Sequence, residues 1–177
     1  MRPPPTSRPS CAKNERVLYV TFERLVRRRP DTVWSFLTDL SAVSTWVEGL
    51  VDLRVVGDAE PGVGTRLELA RRVTATQKID HVTSEITAWR EPSLLALETR
   101  LPKVVLLDRV TLTTVAEGTR LGVFAELNYG GAAAGLFGRA PGLSEASPRE
   151  LQIRGIYERS IDAPVTRIEK QSAIPYR

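Results

Sequence analysis

Apolar and polar residues alternate along most of this chain, and the breaks in that alternation mark its elements. From Glu15 to Arg29, Val17, Tyr19, Thr21 and Glu23 alternate with Leu18, Val20, Phe22 and Arg24. β-Branched and aromatic residues at period two predict a partly buried strand. At Pro30 and Asp31 the period changes: Val33, Trp34, Leu37 and Leu40 recur three and four residues apart, which predicts an amphipathic helix. Pro30 suits its first turn, and Asp31 suits the positive end of the helix dipole. Ser41 restarts a short helix through Val43 and Trp46, and Gly49 ends it.

The middle of the chain returns to period two. Strands are expected at Val51–Val56, Thr65–Thr76, Lys78–Arg90, Leu94–Arg100, Val104–Val115 and Thr119–Tyr129. Gly57–Gly64, Glu91-Pro92-Ser93 and Ala116-Glu117-Gly118 read as turns between them. One face carries Leu67, Leu69, Arg71 and Val73, then Val82, Ser84, Ile86 and Ala88, then Leu95, Leu97 and Thr99. The last two strands add Leu106, Asp108, Val110 and Leu112, and Leu121, Val123, Ala125 and Leu127. Strands that follow one another directly favour an antiparallel meander. Gly130–Gly142, with five glycines and Pro141, reads as a flexible connection.

Residues 148–171 then turn helical, with Ile153, Ile156, Tyr157, Ser160, Ile161, Val165 and Ile168 in one stripe. Ser147 is a candidate N-cap, followed by Pro148 and Glu150. Pro164 should kink or break this helix, because it lacks an N–H and crowds the preceding turn. The order of elements places the chain in the α+β class. One curved antiparallel sheet wraps a long C-terminal helix, and two short helices follow the first strand.

Composition changes this picture little, and charge changes it at one end. The chain of 177 residues is 42% hydrophobic and 26% charged, which fits a globular domain. Residues 1–14 are basic and proline-rich and read as a flexible tail; residues 15–177 read as a single domain. The longest aliphatic run, Val104–Leu107, is far short of a membrane span, and no apolar signal segment opens the chain. Residues 1–29 hold eight basic side chains against Glu15 and Glu23, while the remainder holds 17 basic and 19 acidic groups. The basic character therefore belongs to an N-terminal arm. No aromatic interleaving accompanies it, which argues against a nucleic-acid partner. A single Cys11 and a single His81 provide neither a disulfide nor a structural zinc site. A reducing, cytoplasmic setting is the default, and no cofactor is expected.

At this point the chain resembles a family. PDTVWSFLTDL (30–40), Trp46, GVGTRLEL (62–69), ITAWREPSLLAL (86–97), EGTRLGV (117–123) and the terminal helix, in that order, resemble the START-like superfamily of helix-grip (SRPBCC) proteins. That superfamily includes polyketide cyclase/dehydrases, lipid-transfer proteins and plant pathogenesis-related allergens. The likeness spans roughly residues 17–171. It implies a deep, mostly apolar cavity between the concave sheet face and the long helix, holding a lipid, polyketide, sterol or similar molecule. The run SAVSTWVEG lacks the proline and second tryptophan that often accompany Trp46 in the family. No catalytic motif of the family matches, so no catalytic residue is carried over.

Inward phase names the candidate lining: Leu67, Leu69, Ile86, Leu95, Leu97, Val110, Leu112, Leu121 and Val123. Arg71 and Asp108 share that phase, and a charge on an apolar face needs a partner or a polar ligand group. Either is a candidate polar anchor. Trp46 near the cavity mouth and Tyr157 on the helix stripe are further ligand-contact candidates. Trp34 reads as core. Trp89, out of phase with Ile86 and Ala88, reads as capping a sheet edge. His81, out of phase with Val82 and Ser84, reads as outward-facing. GxGxxG, P-loop, HExxH, CxxC and GxSxG patterns are absent.

Three functions compete on these grounds. The first is binding or transport of a small hydrophobic molecule, lipid or polyketide-like. The second is a cyclase/aromatase or dehydratase reaction in the same cavity, using an Arg, Asp, Tyr or His for acid–base work. The third is a macromolecular contact through the basic arm.

Overall fold

The computed structural model describes residues 16–58, 60–72, 77–101, 104–129 and 148–170. The strands are β1 (Arg16–Val26), β2 (Leu50–Val55), β3 (Arg66–Arg72), β4 (Ile79–Arg90), β5 (Leu94–Leu101), β6 (Val104–Val115) and β7 (Gly118–Tyr129); the helices are α1 (Pro30–Thr38) and α2 (Pro148–Lys170). A single turn of 3-10 helix, Val43–Thr45, stands where a second short helix was expected. All seven strands form one antiparallel sheet in the order β1-β7-β6-β5-β4-β3-β2. This is the α+β helix-grip arrangement that the order of elements predicts. The tail at 1–14, the Gly130–Gly142 connection, the Ser147 cap and the last residues of the expected Thr65–Thr76 strand lie outside the described residues.

The core follows from the alternation. Val20, Phe22 and Val26 of β1, Leu106 and Leu112 of β6, and Leu121, Val123, Ala125 and Leu127 of β7 point to the concave face and are buried. Val33, Trp34 and Leu37 of α1 and Ile161 and Ile168 of α2 close over them. Ser35 Oγ and Thr38 Oγ1 donate back to the carbonyls of Asp31 and Trp34 at 2.9 and 2.8 Å, so the polar side chains of α1 stay satisfied. At the tight β6–β7 turn, Gly118 has φ +142°, and a Cβ there would collide with the Val26 carbonyl. That close approach admits only glycine. Next to it, the buried Thr119 donates to the Arg28 carbonyl at 2.6 Å.

The end of β1 and the residues that follow it also fasten α2. Arg24 Nε meets Asp162 at 2.7 Å. The Arg27 amide donates to Glu169 Oε1 at 3.0 Å, and Arg28 Nη2 donates to the Glu169 carbonyl at 2.6 Å. A cation at a helix C-terminus satisfies carbonyls the helix leaves open and opposes its dipole. Part of the basic N-terminal stretch therefore serves as a structural clamp. On the other side, Arg159 pairs with Glu48 at 2.8 and 3.2 Å, and Arg167 donates to Thr45 at 2.8 Å.

Three local expectations need correction. Trp89 does not cap an edge. Ile86 pairs with Leu97 but Ala88 pairs with Ala96, so a bulge at Thr87 inverts the phase of β4. Trp89 consequently turns inward opposite Leu95 and meets Trp34 edge-on, with ring centroids 5.1 Å apart. Pro164 does not break α2, which runs unbroken from Pro148 to Lys170. The proline is itself fully buried between Ile161 and Ile168, and that packing offsets the lost backbone bond. Finally, the expected inner stripe of α2 is unevenly buried. Ile161 and Ile168 are buried, whereas Ile153, Ile156 and Tyr157 keep some accessible surface.

Candidate functional site

The register sets out the concave face in rows across the sheet. One row runs Val20, Ala125, Asp108, Leu97 and Ile86; its neighbours are Phe22, Val123, Val110, Leu95 and Trp89 on one side and Leu18, Leu127, Leu106, Thr99, Ser84 and Leu67 on the other. At the centre lie Leu95, Leu97, Asp108 and Val110. None of these four is fully buried, although Ile86, Leu106, Leu112, Val123 and Ala125 around them are. Side chains that point inward, are surrounded by packed neighbours and still keep accessible surface border space that the fold has not filled.

The expected lining residues all point inward, but at different depths. Leu67, Ile86, Leu112, Leu121 and Val123 are sealed by packing. Leu69, Leu95, Leu97 and Val110 keep accessible surface. The division follows the helices: Leu112, Leu121 and Val123 lie in the cluster that includes α1 and the Ile161–Ile168 end of α2.

Asp108 is the one acidic side chain in the central rows. Tyr157 Oη of α2 donates to its Oδ1 at 2.7 Å, joining helix to sheet. Burial pushes the Asp108 carboxyl up from 3.8 to about 6, while the Tyr157 bond and the Arg71 charge both pull it down. A carboxyl so placed changes protonation near neutrality and can accept or return a proton. Arg71, opposite Asp80 and Leu50 in the sheet and half-buried, adds positive potential from β3. Arg71 and Tyr157, both singled out by phase alone, thus each act on Asp108, a third residue of that set.

Trp46 follows the 3-10 turn and packs beside Phe36, with centroids 6.2 Å apart. Its indole Nε1 is buried and has no hydrogen-bond partner among the described residues. Ser84 Oγ and Thr99 Oγ1, in adjacent strands, bond each other at 2.6 Å in a buried pair. Their phase was legible in the sequence, but their pairing depends on a register that the sequence does not display. Phe36 falls outside the α1 stripe read from spacing and was missed. His81 is exposed opposite Ala70, on the outer face as expected, and plays no part here.

Among the described residues no helix is long and apolar enough to cross a membrane. No curated protein matches the chain. Among solved structures, it is similar to the di-domain ARO/CYC StfQ from the steffimycin biosynthetic pathway, with TM-score 0.70 and 11% identity over 89% of this chain and 53% of that one. A second di-domain ARO/CYC, BexL from the BE-7585A pathway, gives TM-score 0.66 and 14% identity over 90% and 51%. NE0264 from Nitrosomonas europaea gives 0.64 and 15% over 89% and 97%. The chain thus spans about half the length of each di-domain protein, and at these identities the likeness speaks to fold. A family model described as polyketide cyclase / dehydrase and lipid transport matches residues 18–169. With the helix-grip sheet already in place, that match over most of the sequence makes the chain a member of the polyketide cyclase / dehydrase and lipid transport family, within the START-like superfamily.

Proposed function

We propose that this protein binds a small hydrophobic molecule, lipid or polyketide-like, between the concave sheet face and α2. The carrying observation is the central patch of Leu95, Leu97, Asp108 and Val110, inward-facing yet not closed by packing. In this reading Leu69, Leu95, Leu97 and Val110 contact the molecule directly, and the sealed Leu67, Ile86, Leu112, Leu121 and Val123 back them. Asp108, held by Tyr157, is the polar anchor. Arg71 shapes the potential around it, and Trp46 supplies an aromatic wall. A mostly apolar lining with few polar groups is how such sites combine affinity with orientation. At ~25 cal/mol per Å², hiding ~300 Å² of apolar ligand surface contributes about 7 kcal/mol before ordering costs. The test is native mass spectrometry of protein taken from its own host, together with melting in the presence of apolar aromatic probes. A retained small molecule or a raised melting temperature supports the reading. A bare mass with no shift from any apolar probe refutes it.

The part-buried Asp108–Tyr157 pair favours a second reading, a cyclase/aromatase or dehydratase reaction in the same space. A carboxyl near pKa 6 bonded to a phenol is suited to moving protons, and two of the similar structures are described as ARO/CYC proteins. Turnover of an aromatic precursor by wild type but not by Asp108→Asn would support this reading over simple carriage.

A further inference from the structure

The two ends of the sheet are built differently. At one end β2 is six residues long, irregular between Leu50 and Asp52, and carries the exposed Asp52–Arg54 ion pair at 2.9 Å. Short length, a bulge and charge are what keep a sheet edge from pairing with another chain. At the other end β1 has eleven residues, pairs with β7 without a register shift and contains neither proline nor glycine. Its backbone groups point alternately toward β7 and away from it. The Gly122 carbonyl of β7 takes Thr111 Oγ1 of β6 at 3.4 Å, so Gly122 faces β6, and its partner Glu23 faces away from β7. The Arg24 guanidinium, donating to the Glu23 carbonyl at 3.1 Å, reaches it from that open side. The amides and carbonyls of Val17, Tyr19, Thr21, Glu23 and Leu25 therefore line the open edge. Among the described residues, that arginine is the one group bonded to them. The side chains of the same five residues are exposed, with Val17 at 42%, Tyr19 at 58% and Leu25 at 45%.

We propose that β1 is the interface of a homodimer, pairing antiparallel with β1 of a second copy so that two seven-stranded sheets run on as one. The occupant follows from the strand's own sequence. Paired with itself about Thr21, β1 matches all eleven residues, from Arg16 opposite Val26 to Val26 opposite Arg16. Edge-facing residues then meet only edge-facing residues: Val17 with Leu25, Tyr19 with Glu23 and Thr21 with Thr21, as the exchange of backbone bonds between two strands requires. Both Val17–Leu25 pairs are apolar, Tyr19 lies diagonal to Leu25 of the other copy, and two threonines meet on the twofold axis. Each is a favourable cross-strand neighbour. No like charges meet, because Arg16 faces Val26, Glu23 faces Tyr19 and Arg24 faces Leu18. Sliding the pairing two residues one way sets Arg16 against Arg24. Sliding it the other way leaves Arg16 and Val17 beyond the end of the facing strand. The strand is thus complementary to itself in one register, which is what an isologous contact demands. The exposed Arg24 side-chain bond to the Glu23 carbonyl gives way to the Tyr19 amide of the second copy.

The test is sedimentation of the full chain from about 5 μM to about 500 μM, a range suited to the modest affinity of a small interface. Amide hydrogen exchange is read residue by residue by NMR at both ends of that range. Wild type should pass from monomer to dimer as concentration rises, and the amides of Val17, Tyr19, Thr21, Glu23 and Leu25 should exchange more slowly in the dimer. Thr21→Lys sets two like charges against each other on the axis and should weaken association about tenfold. Val51→Lys, a similar change at the exposed β2 edge, should leave association unaltered. A chain that stays monomeric throughout overturns the proposal, whether those five amides exchange freely or are covered by the chain's own residues. So does a dimer in which they exchange as fast as in the monomer, or one that Thr21→Lys weakens no more than Val51→Lys. Sedimentation and exchange of wild type decide the matter without any variant.

Discussion

Replacing Asp108 by asparagine should make the protein more stable at pH 7 and unchanged near pH 4. In the folded protein the Asp108 carboxyl is raised from 3.8 to about 6, mainly by burial. Between those two values the folded chain holds a proton that the unfolded chain has released, so stability falls as pH rises. At about 1.4 kcal/mol per pH unit, keeping the buried carboxylate ionised costs about 3 kcal/mol, fully felt above pH 6 and absent below pH 4. Asparagine keeps an oxygen for the Tyr157 hydroxyl and carries no charge. The assay is urea unfolding of wild type and Asp108→Asn at half-unit intervals from pH 4 to 8, plotted as the difference between them. Titration of every other group cancels in that difference. It should open through pH 4–6 and level off above pH 7. Tyr157→Phe, which removes the bond that favours the carboxylate, should move the midpoint of the opening to higher pH. A difference that stays flat across the range would refute the buried placement of Asp108.

Four further substitutions test the packing. Gly118→Ala should cost at least about 2 kcal/mol, since its φ is positive and its Cβ meets the Val26 carbonyl; a urea midpoint equal to wild type would contradict this. Trp89→Ala should cost about 3 kcal/mol through loss of the contact with Trp34, whereas a residue capping an edge would melt almost unchanged. Ile161→Asp should unfold the protein at temperatures where Ile156→Asp remains folded, because only Ile161 is buried in the core cluster; circular dichroism melts separate the two.

Phase was the strongest signal in the sequence. It assigned the inner face of most strands and put Asp108 among leucines and valines, where a charge needs a partner or a polar ligand group; that the partner is Tyr157 of the terminal helix came only from the structure. What phase reports is direction, not depth. Leu121 and Leu97 alternate identically, yet α1 and the Ile161–Ile168 end of α2 seal the first and leave surface on the second. Depth depends on where helices cross a sheet, which is settled by contacts between residues far apart in the chain. The Thr87 bulge escaped for a different reason. No glycine or proline marks it, and the stretch Ile86–Trp89 alternates no worse than its neighbours, so the shift becomes visible only against the partner strand. The break expected as one outcome at Pro164 does not occur, and the proline is itself buried within a continuous helix.

The placement of β1 beside β7 bears on how the chain assembles. β2 through β6 each lie next to their successors, and short connections bring those pairs together at little entropic cost. β1 has no such neighbour: Val26 pairs with Thr119 and Val20 with Ala125, with all the other strands lying between them in the sequence. During synthesis the first strand therefore emerges with its apolar side chains Val20, Phe22 and Val26 long before the strand that covers them exists. Contacts so distant in sequence slow folding. Any fragment that stops short of Gly118 carries half a core that nothing can close, and such a fragment is a target for aggregation or proteolysis rather than a smaller version of the protein.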